Sequence, residues 1–484
     1  MKKSEKMLAE ASYPKLVLNL CLPTIVIMLV MVIYNMADTF FIGQTGEPAK
    51  IAALSLCGPL FTILSGLGTL LGSGGCTSIS LALGRKDSSR IKSCTSLCCY
   101  GSLAIGFVFL IIVLSAAKPI SMALGADSET LSYTVSYLRI IAMGAPLILF
   151  NNVFANIIRA DGAAVESMIA NGLGTVSNIA LDALFILVFS WDVAGAAFAT
   201  VLGNAISCIY LFYYITKKQP AFSLRLKYFT LKKEVLVPVV TLGLPLACST
   251  LLMSCSSLVS NRLMIRYGSS ALAAQGVAGK TGMLISMIAM GICMGLQPAI
   301  SFNFGRGSRD RVHMIVRNSG IFTVIVGSAL ALVCFIFKDT IVAAFIDNSQ
   351  VIAYGQLMVL ASIVTGPFYG LYQLCQTFLQ STGKASYATF VALLDKGIFY
   401  IPALLLMDHF FGLYGIAFTG AVTLVFSLSA GAFFSFRWNR KVWAGPDVFP
   451  GQTASPGPAA SPGQAASSGQ TASPRSAVLA DDKA

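Results

Sequence analysis

Apolar runs of bilayer length, separated by short polar breaks, fill the chain from residue 16 to residue 436. A helix needs about 20 apolar residues to cross a bilayer. Twelve runs qualify: 16–42, 51–83, 92–117, 131–158, 164–190, 194–215, 235–266, 272–301, 313–337, 350–380, 386–408 and 412–436. The pattern predicts an all-α, polytopic membrane protein with twelve transmembrane helices. It also repeats. Shifted by 221 positions, Ala52 and Ala53 fall on Ala273 and Ala274, and Gly58 falls on Gly279. Gly74 falls on Gly295, Gly84-Arg85 on Gly305-Arg306, Pro146 on Pro367 and Gly162 on Gly383. Similarity at a fixed period means two structurally equivalent halves. In a membrane protein it points to a transporter whose halves rock about a central site.

The division follows. Residues 1–215 form a first six-helix bundle and 235–440 a second, pseudo-symmetric to it, joined by the basic loop 216–234. Residues 441–484 form a tail; from 446 on, Pro, Gly, Ala, Ser and Gln dominate. Such a composition does not supply enough apolar surface to fold, so a disordered cytoplasmic tail is expected.

Mean hydropathy of +0.77, with 56% hydrophobic and 11% charged residues, agrees with the membrane reading. A formal net charge of +13 suggests nucleic acid until the charges are placed. Basic residues gather in alternate loops, at Arg85, Lys86, Arg90 and Lys92, across 216–234, and at Arg306, Arg309, Arg311 and Arg317. The intervening loops hold mainly Lys50, Lys118 and Lys338, with Arg262 and Arg266 as the exception. By the positive-inside rule both termini are cytoplasmic, in a multi-pass protein of the cytoplasmic (inner) membrane, and no nucleic-acid partner is expected. No signal peptide is expected from the N-terminal residues. Most of the twelve cysteines lie singly in apolar spans as small hydrophobes, and His313 and His409 are the only histidines, so no zinc or disulfide framework is expected.

Candidate chemistry lies in the intramembrane acids, because a charge at bilayer depth costs at least about 2.5 kcal/mol. Asp38 stands in the first span, with Tyr34 and Asn35 four and three residues before it, on one helix face. Asp182 ends a polar stripe in the fifth span, Asn171, Thr175, Asn178, Asp182. Counting from the span ends places Asp38, Tyr137, Asp182 and Thr200 at comparable depth in the outer half of the first bundle, with Asn178 a turn deeper. Asn152 lies further toward the cytoplasm and is set apart. Two carboxylates facing one low-dielectric cavity resist being ionised together. Such a pair can hold a proton, Na+ (at Asp38, Asn178 and Asp182) or an organic cation, and filling by one disfavours the others. The 221 shift sets Asp38 on Val259 and Asp182 on Ala403, so the buried acids, and the ion chemistry with them, are expected in the first half alone.

Three further features bear on transport. Pro23 in the first span removes a backbone hydrogen bond and is a candidate bend. Met283, Met287 and Met290 form a helical stripe in the eighth span, either ordinary packing or an adaptable wall for apolar ligands. Phosphate-loop, G-x-S-x-G and H-E-x-x-H motifs are absent from the sequence, so neither an ATP-driven pump nor an enzyme is expected.

At these residues the chain resembles the multidrug and toxic compound extrusion (MATE) family. The resemblance spans roughly 10–440. It rests on Tyr34–Gly43, Ile158-Arg159-Ala160-Asp161-Gly162, Gly243-Leu244-Pro245, Gln297-Pro298, Asn303-Phe304-Gly305 and Gln380-Ser381-Thr382-Gly383-Lys384. It implies two six-helix bundles alternating in access and export of organic cations in exchange for Na+ or H+, without other cofactors. Asp38, Tyr137, Asn178, Asp182 and Thr200 match the family's polar network, and Pro23 its bending proline. Some members carry a Glu in the seventh span where this chain has Met253. The expected partners are small organic cations and membrane lipids, with the chain as a monomer. The alternative is a flippase for lipid-linked oligosaccharide, whose cavity tends to be basic rather than acidic.

Overall fold

The computed structural model describes residues 3–43, 47–338 and 349–443, and at 34–39 the helix backbone alone. The regular structure of the described residues is helical, with no strand among them. A short helix α1 (Lys3–Glu10) precedes the first span, α2 (Leu22–Gly43), which a π-turn at Val17–Cys21 introduces. The first half continues with α3 (Pro48–Gly84), α4 (Ser88–Ala123), α5 (Leu131–Ile157), α6 (Ala164–Asp182) and α7 (Asp192–Lys218). The second half holds α8 (Lys233–Ile265), α9 (Ser269–Gly305), α10 (Arg309–Ile336), α11 (Ser349–Ser381), α12 (Ala385–Leu393) and α13 (Tyr400–Val442).

Eleven stretches among the described residues are long and apolar enough to cross a membrane. The last, Ala385–Val442, has 58 residues and would extend ~87 Å as one helix, far beyond a ~30 Å hydrocarbon core. Gly412 breaks it, at φ 57° and ψ −136°. Two spans lie on either side, which makes twelve, and the break falls where the apolar pattern places it.

The 221-residue repeat is visible in the backbone. Helices end at Gly84 and Gly305 and start at Ser88 and Arg309, then again at Ala164 and Ala385. Left-handed residues recur at Lys86 and Gly307 and at Gly162 and Gly383. Packing repeats as well: α2 lies on α6 as α8 lies on α12, and α3 on α5 as α9 on α11.

The halves meet through α3 on α8, and through α9 on α2 and α3. Glycine allows this approach. A Cβ at Gly84 would lie 2.1 Å from the Phe302 carbonyl oxygen, and one at Gly305 would lie 2.4 Å from that of Leu81. Leu81 and Phe302 are themselves 221 apart, so the contact is reciprocal. Gly74 against Val239 and Gly243 against Leu70 are tighter still, at 1.8 Å each. Small residues at such crossings bring backbones together where lipid offers no hydrophobic drive. Hydrogen bonds between the halves cluster at the same, basic-loop end. Gln380 donates to Ser73 and Gln297 to Thr77, both at 2.8 Å, and Asn303 donates to the Leu8 carbonyl at 2.9 Å. Gln297, Asn303 and Gln380 are the motif residues of the second half, so those motifs serve the seam.

At the opposite end Lys50, 5% exposed, pairs with Glu47 at 3.0 Å and Asp192 at 2.9 Å, tying α3 to the start of α7. Arg266, the exception to the charge pattern, reaches Asp408 at 3.9 Å. Tyr267 donates to the same carboxylate at 2.6 Å, and that bond pushes the Tyr267 phenol up from its ordinary value. All twelve cysteines are free and most are buried. The tail beyond 443 lies outside the described residues.

Candidate functional site

The site grows from the crossing of α6 and α7. Gly174 and Gly203 let the two helices nearly touch: a Cβ on Gly203 would lie 2.7 Å from the Gly174 carbonyl oxygen and 2.9 Å from the Asn178 Cβ. Asp182, Asn178 and Thr200 are brought together there, all 2% exposed or less. With its amide nitrogen turned toward the acid, Asn178 donates to Asp182 Oδ2 at 3.3 Å, and its oxygen accepts from the Thr200 backbone N–H at 3.1 Å. The polar chain continues: Asn204 donates to the Thr200 carbonyl at 2.8 Å, and Asn151 donates to the Asn204 side chain at 2.9 Å. A buried carboxylate needs such support, since an unsatisfied polar group in a low-dielectric interior is costly.

A π-turn, Ala183–Val188, begins directly after Asp182. Such turns interrupt the regular backbone ladder and recur at functional sites.

Beside this network opens a cavity with about 820 Å³ of empty space, part of it open to solvent. Asn178, Thr200, Asn204, Asn151, Asn152, Asn171 and Thr175 give its polar wall, while Ile27, Met31 and Phe61 from α2 and α3 give its apolar one. The sequence reading set Asn152 apart by depth; it lines the same cavity as Asn178. Tyr137 is buried on α5 in a core cluster that shares Ile148 with the cavity wall. Asp38, Tyr34 and Asn35 lie on α2, seven, three and four residues past Met31; their side chains are outside the described residues. Pro23 is the second residue of α2, with Leu22 between it and the π-turn at Val17–Cys21, so the first span departs from regular helix just before it. Met287 and Met290 pack against Met28, Leu246 and Met294 along the seam between the halves, in a cluster that Ile27 of the cavity wall also joins, and Met283 is exposed.

One expectation is corrected. Buried acids are not confined to the first half. Asp395, 3% exposed, lies in a π-turn, Leu394–Ile398, that joins α12 to α13. Its Oδ2 is 2.8 Å from the Lys396 ammonium. The 221 shift does not reveal it, because it pairs Asp395 with Gly174 rather than with an acid. Adjacent opposite charges inside an apolar span were the available signal. Asn151 and Asn204 were missed as well; Asn204, one helical turn after Thr200, was legible by spacing.

The chain's likeness to known proteins agrees with this geometry. The MatE family profile matches residues 23–184 and again 245–406, once in each half. The chain is 30% identical over 410 residues to the multidrug export protein MepA of Staphylococcus saprophyticus, covering 85% of this chain and 90% of that one. It is 31% identical over 406 residues to MepA of Staphylococcus aureus strain NCTC 8325, covering 83% and 89%. Among solved structures, a MATE protein in complex with MaL6 superimposes with a TM-score of 0.86 at 21% identity, over 92% of this chain and 100% of that one. An outward-facing multidrug resistance MATE transporter of the MOP superfamily gives 0.83 at 22% identity, over 92% and 98%. With two profile matches, and relatives similar over almost their whole length, the chain belongs to the MatE family and is a multi-pass membrane transporter rather than an enzyme.

Proposed function

We propose that the protein exports organic cations across the cytoplasmic membrane in exchange for Na+ or H+, by alternating access of its two halves. The observation that carries this reading is the buried Asp182–Asn178–Thr200 network beside a half-polar, half-apolar cavity. A carboxylate in low dielectric favours a cation and disfavours a second one, so an organic cation and a coupling ion compete for it. Asp38 is assigned to the same coupling site from its place in the sequence, and Na+ would meet an all-oxygen donor set at Asp38, Asn178 and Asp182. Tyr34, Asn35 and Asn152 are assigned to substrate contact. The relatives' description as multidrug export proteins supports the direction and breadth of transport. In this reading both termini and the 216–234 loop are cytoplasmic, which the basic loops support. The halves would then be joined at the cytoplasmic side, around Gly84 and Gly305, with Pro23 serving the opposite swing as a bend in α2. The protein works in this reading as a monomer among membrane lipids.

Transport in inverted vesicles tests it. Cationic dye accumulation driven by an imposed Na+ or H+ gradient should be abolished by Asp38→Asn and by Asp182→Asn in protein that still folds and inserts. Wild-type rates in both variants would overturn the coupling assignment.

A further inference from the structure

Asp395 and Lys396 have company. The Lys396 ammonium sits 5.5 Å from the Tyr369 ring centroid as well as 2.8 Å from Asp395. Tyr372, 1% exposed, is buried beside Asp395. The Ser256 hydroxyl donates to the Lys396 carbonyl, which holds the π-turn against α8. A carboxylate and an aromatic face around one ammonium are the groups by which proteins recognise organic cations.

The position of this cluster matters as much as its chemistry. Under the 221 shift, Tyr369, Tyr372, Asp395 and Lys396 are the mates of Ile148, Asn151, Gly174 and Thr175. Those four line the first-half cavity. Helix starts at Ala164 and Ala385 fix that register just upstream. The second half therefore builds its cluster where the first half keeps open space.

We propose that the second half contains an organic-cation site whose resident cation is the protein's own Lys396 ammonium. Being tethered, that ammonium acts at high effective concentration, and a free cation enters only by displacing it. The acid is thus never left bare when no substrate is bound. A buried pair kept for stability alone would be a poor bargain, since such pairs seldom stabilise relative to apolar residues. The site goes beyond the proposed coupling at Asp182 and does not depend on it.

Ethidium binding to purified full-length protein in lipid nanodiscs, followed by fluorescence anisotropy, tests the assignment. Lys396→Met should bind ethidium about tenfold more tightly than wild type, the return on one charge-assisted contact freed for the dye. The gain should persist with Asp182→Asn also present, because the site lies in the other half. It should vanish in the charge-neutral pair Asp395→Asn with Lys396→Met, and Lys396→Arg should bind as wild type. If Lys396→Met does not purify as a single species, ethylammonium, a small primary ammonium carrying the lost charge, should restore it. No gain, a gain that survives loss of Asp395, or failure of ethylammonium to rescue a misfolded variant would each overturn the proposal.

Discussion

The Asn178 amide serves Asp182 and Thr200 at once because a side-chain amide carries a donor and an acceptor on opposite edges. A leucine of similar size would remove both. Hydrogen bonds to charged groups are worth ~1.5–3 kcal/mol, so Asn178→Leu should shift the competition between ion and dye by roughly 10- to 100-fold. The shift is read as the displacement of the midpoint of the dye-affinity curve along pH or log Na+ concentration, and an unchanged midpoint would remove Asn178 from the coupling network. Asp182 and Thr200 were legible in the sequence because a charge or hydroxyl in an apolar span stands out. Asp395 carried a signal too, in its adjacent opposite charge Lys396, but a search by repeat passes over it because its mate, Gly174, is no acid. Conformation decides such cases: the π-turn at Leu394–Ile398 sets the two charges side by side.

At the scale of elements, two glycines that both have positive φ make different demands. Gly383 adopts the left-handed helical region at φ 84°, and a Cβ there would meet nothing within 4 Å. Asn tolerates that region, so Gly383→Asn should cost under ~1 kcal/mol. Gly412 combines φ 57° with ψ −136°, outside the left-handed helical basin, where other residues are strained by ~1–3 kcal/mol. Gly412→Asn should therefore lower the thermal midpoint in detergent clearly more than Gly383→Asn; equal effects would mean that the reversal between the last two spans does not depend on Gly412. The apolar pattern located all twelve spans, and this break, because length and hydropathy govern spanning segments. It did not locate the three π-turns among the described residues, which follow from local packing rather than from periodicity.

At the scale of the whole molecule, the seam fixes how far apart the halves can stand. A larger side chain at Gly84 must displace the Phe302 carbonyl, since even a Cβ would lie 2.1 Å from it. Gly84→Val should loosen the basic-loop end and raise the labelling rate of Val239→Cys, a position buried against Gly74, in a cysteine-free background. An unchanged rate would show that closure there does not need this contact. The repeat was legible as 221-residue self-similarity, and Gly74, Gly84 and Gly305 stood out within it. That these glycines and the Gln297, Asn303 and Gln380 motifs form one seam was not, because contact between the halves is a tertiary fact. Orientation is a separate matter: a cysteine at Lys232 should resist labelling from outside intact cells, and efficient labelling would invert the topology.

Competition between dye and coupling ion at Asp182 is the central claim, and dye binding to the purified protein across pH and Na+ concentration tests it most directly. If a proton is the competitor, affinity for a cationic dye rises with pH, because fewer protons hold the site; if sodium is, affinity falls as Na+ rises at fixed pH. In either case Asp182→Asn should flatten the dependence. Dye binding indifferent to both pH and Na+ in the wild-type protein would contradict direct competition at this site.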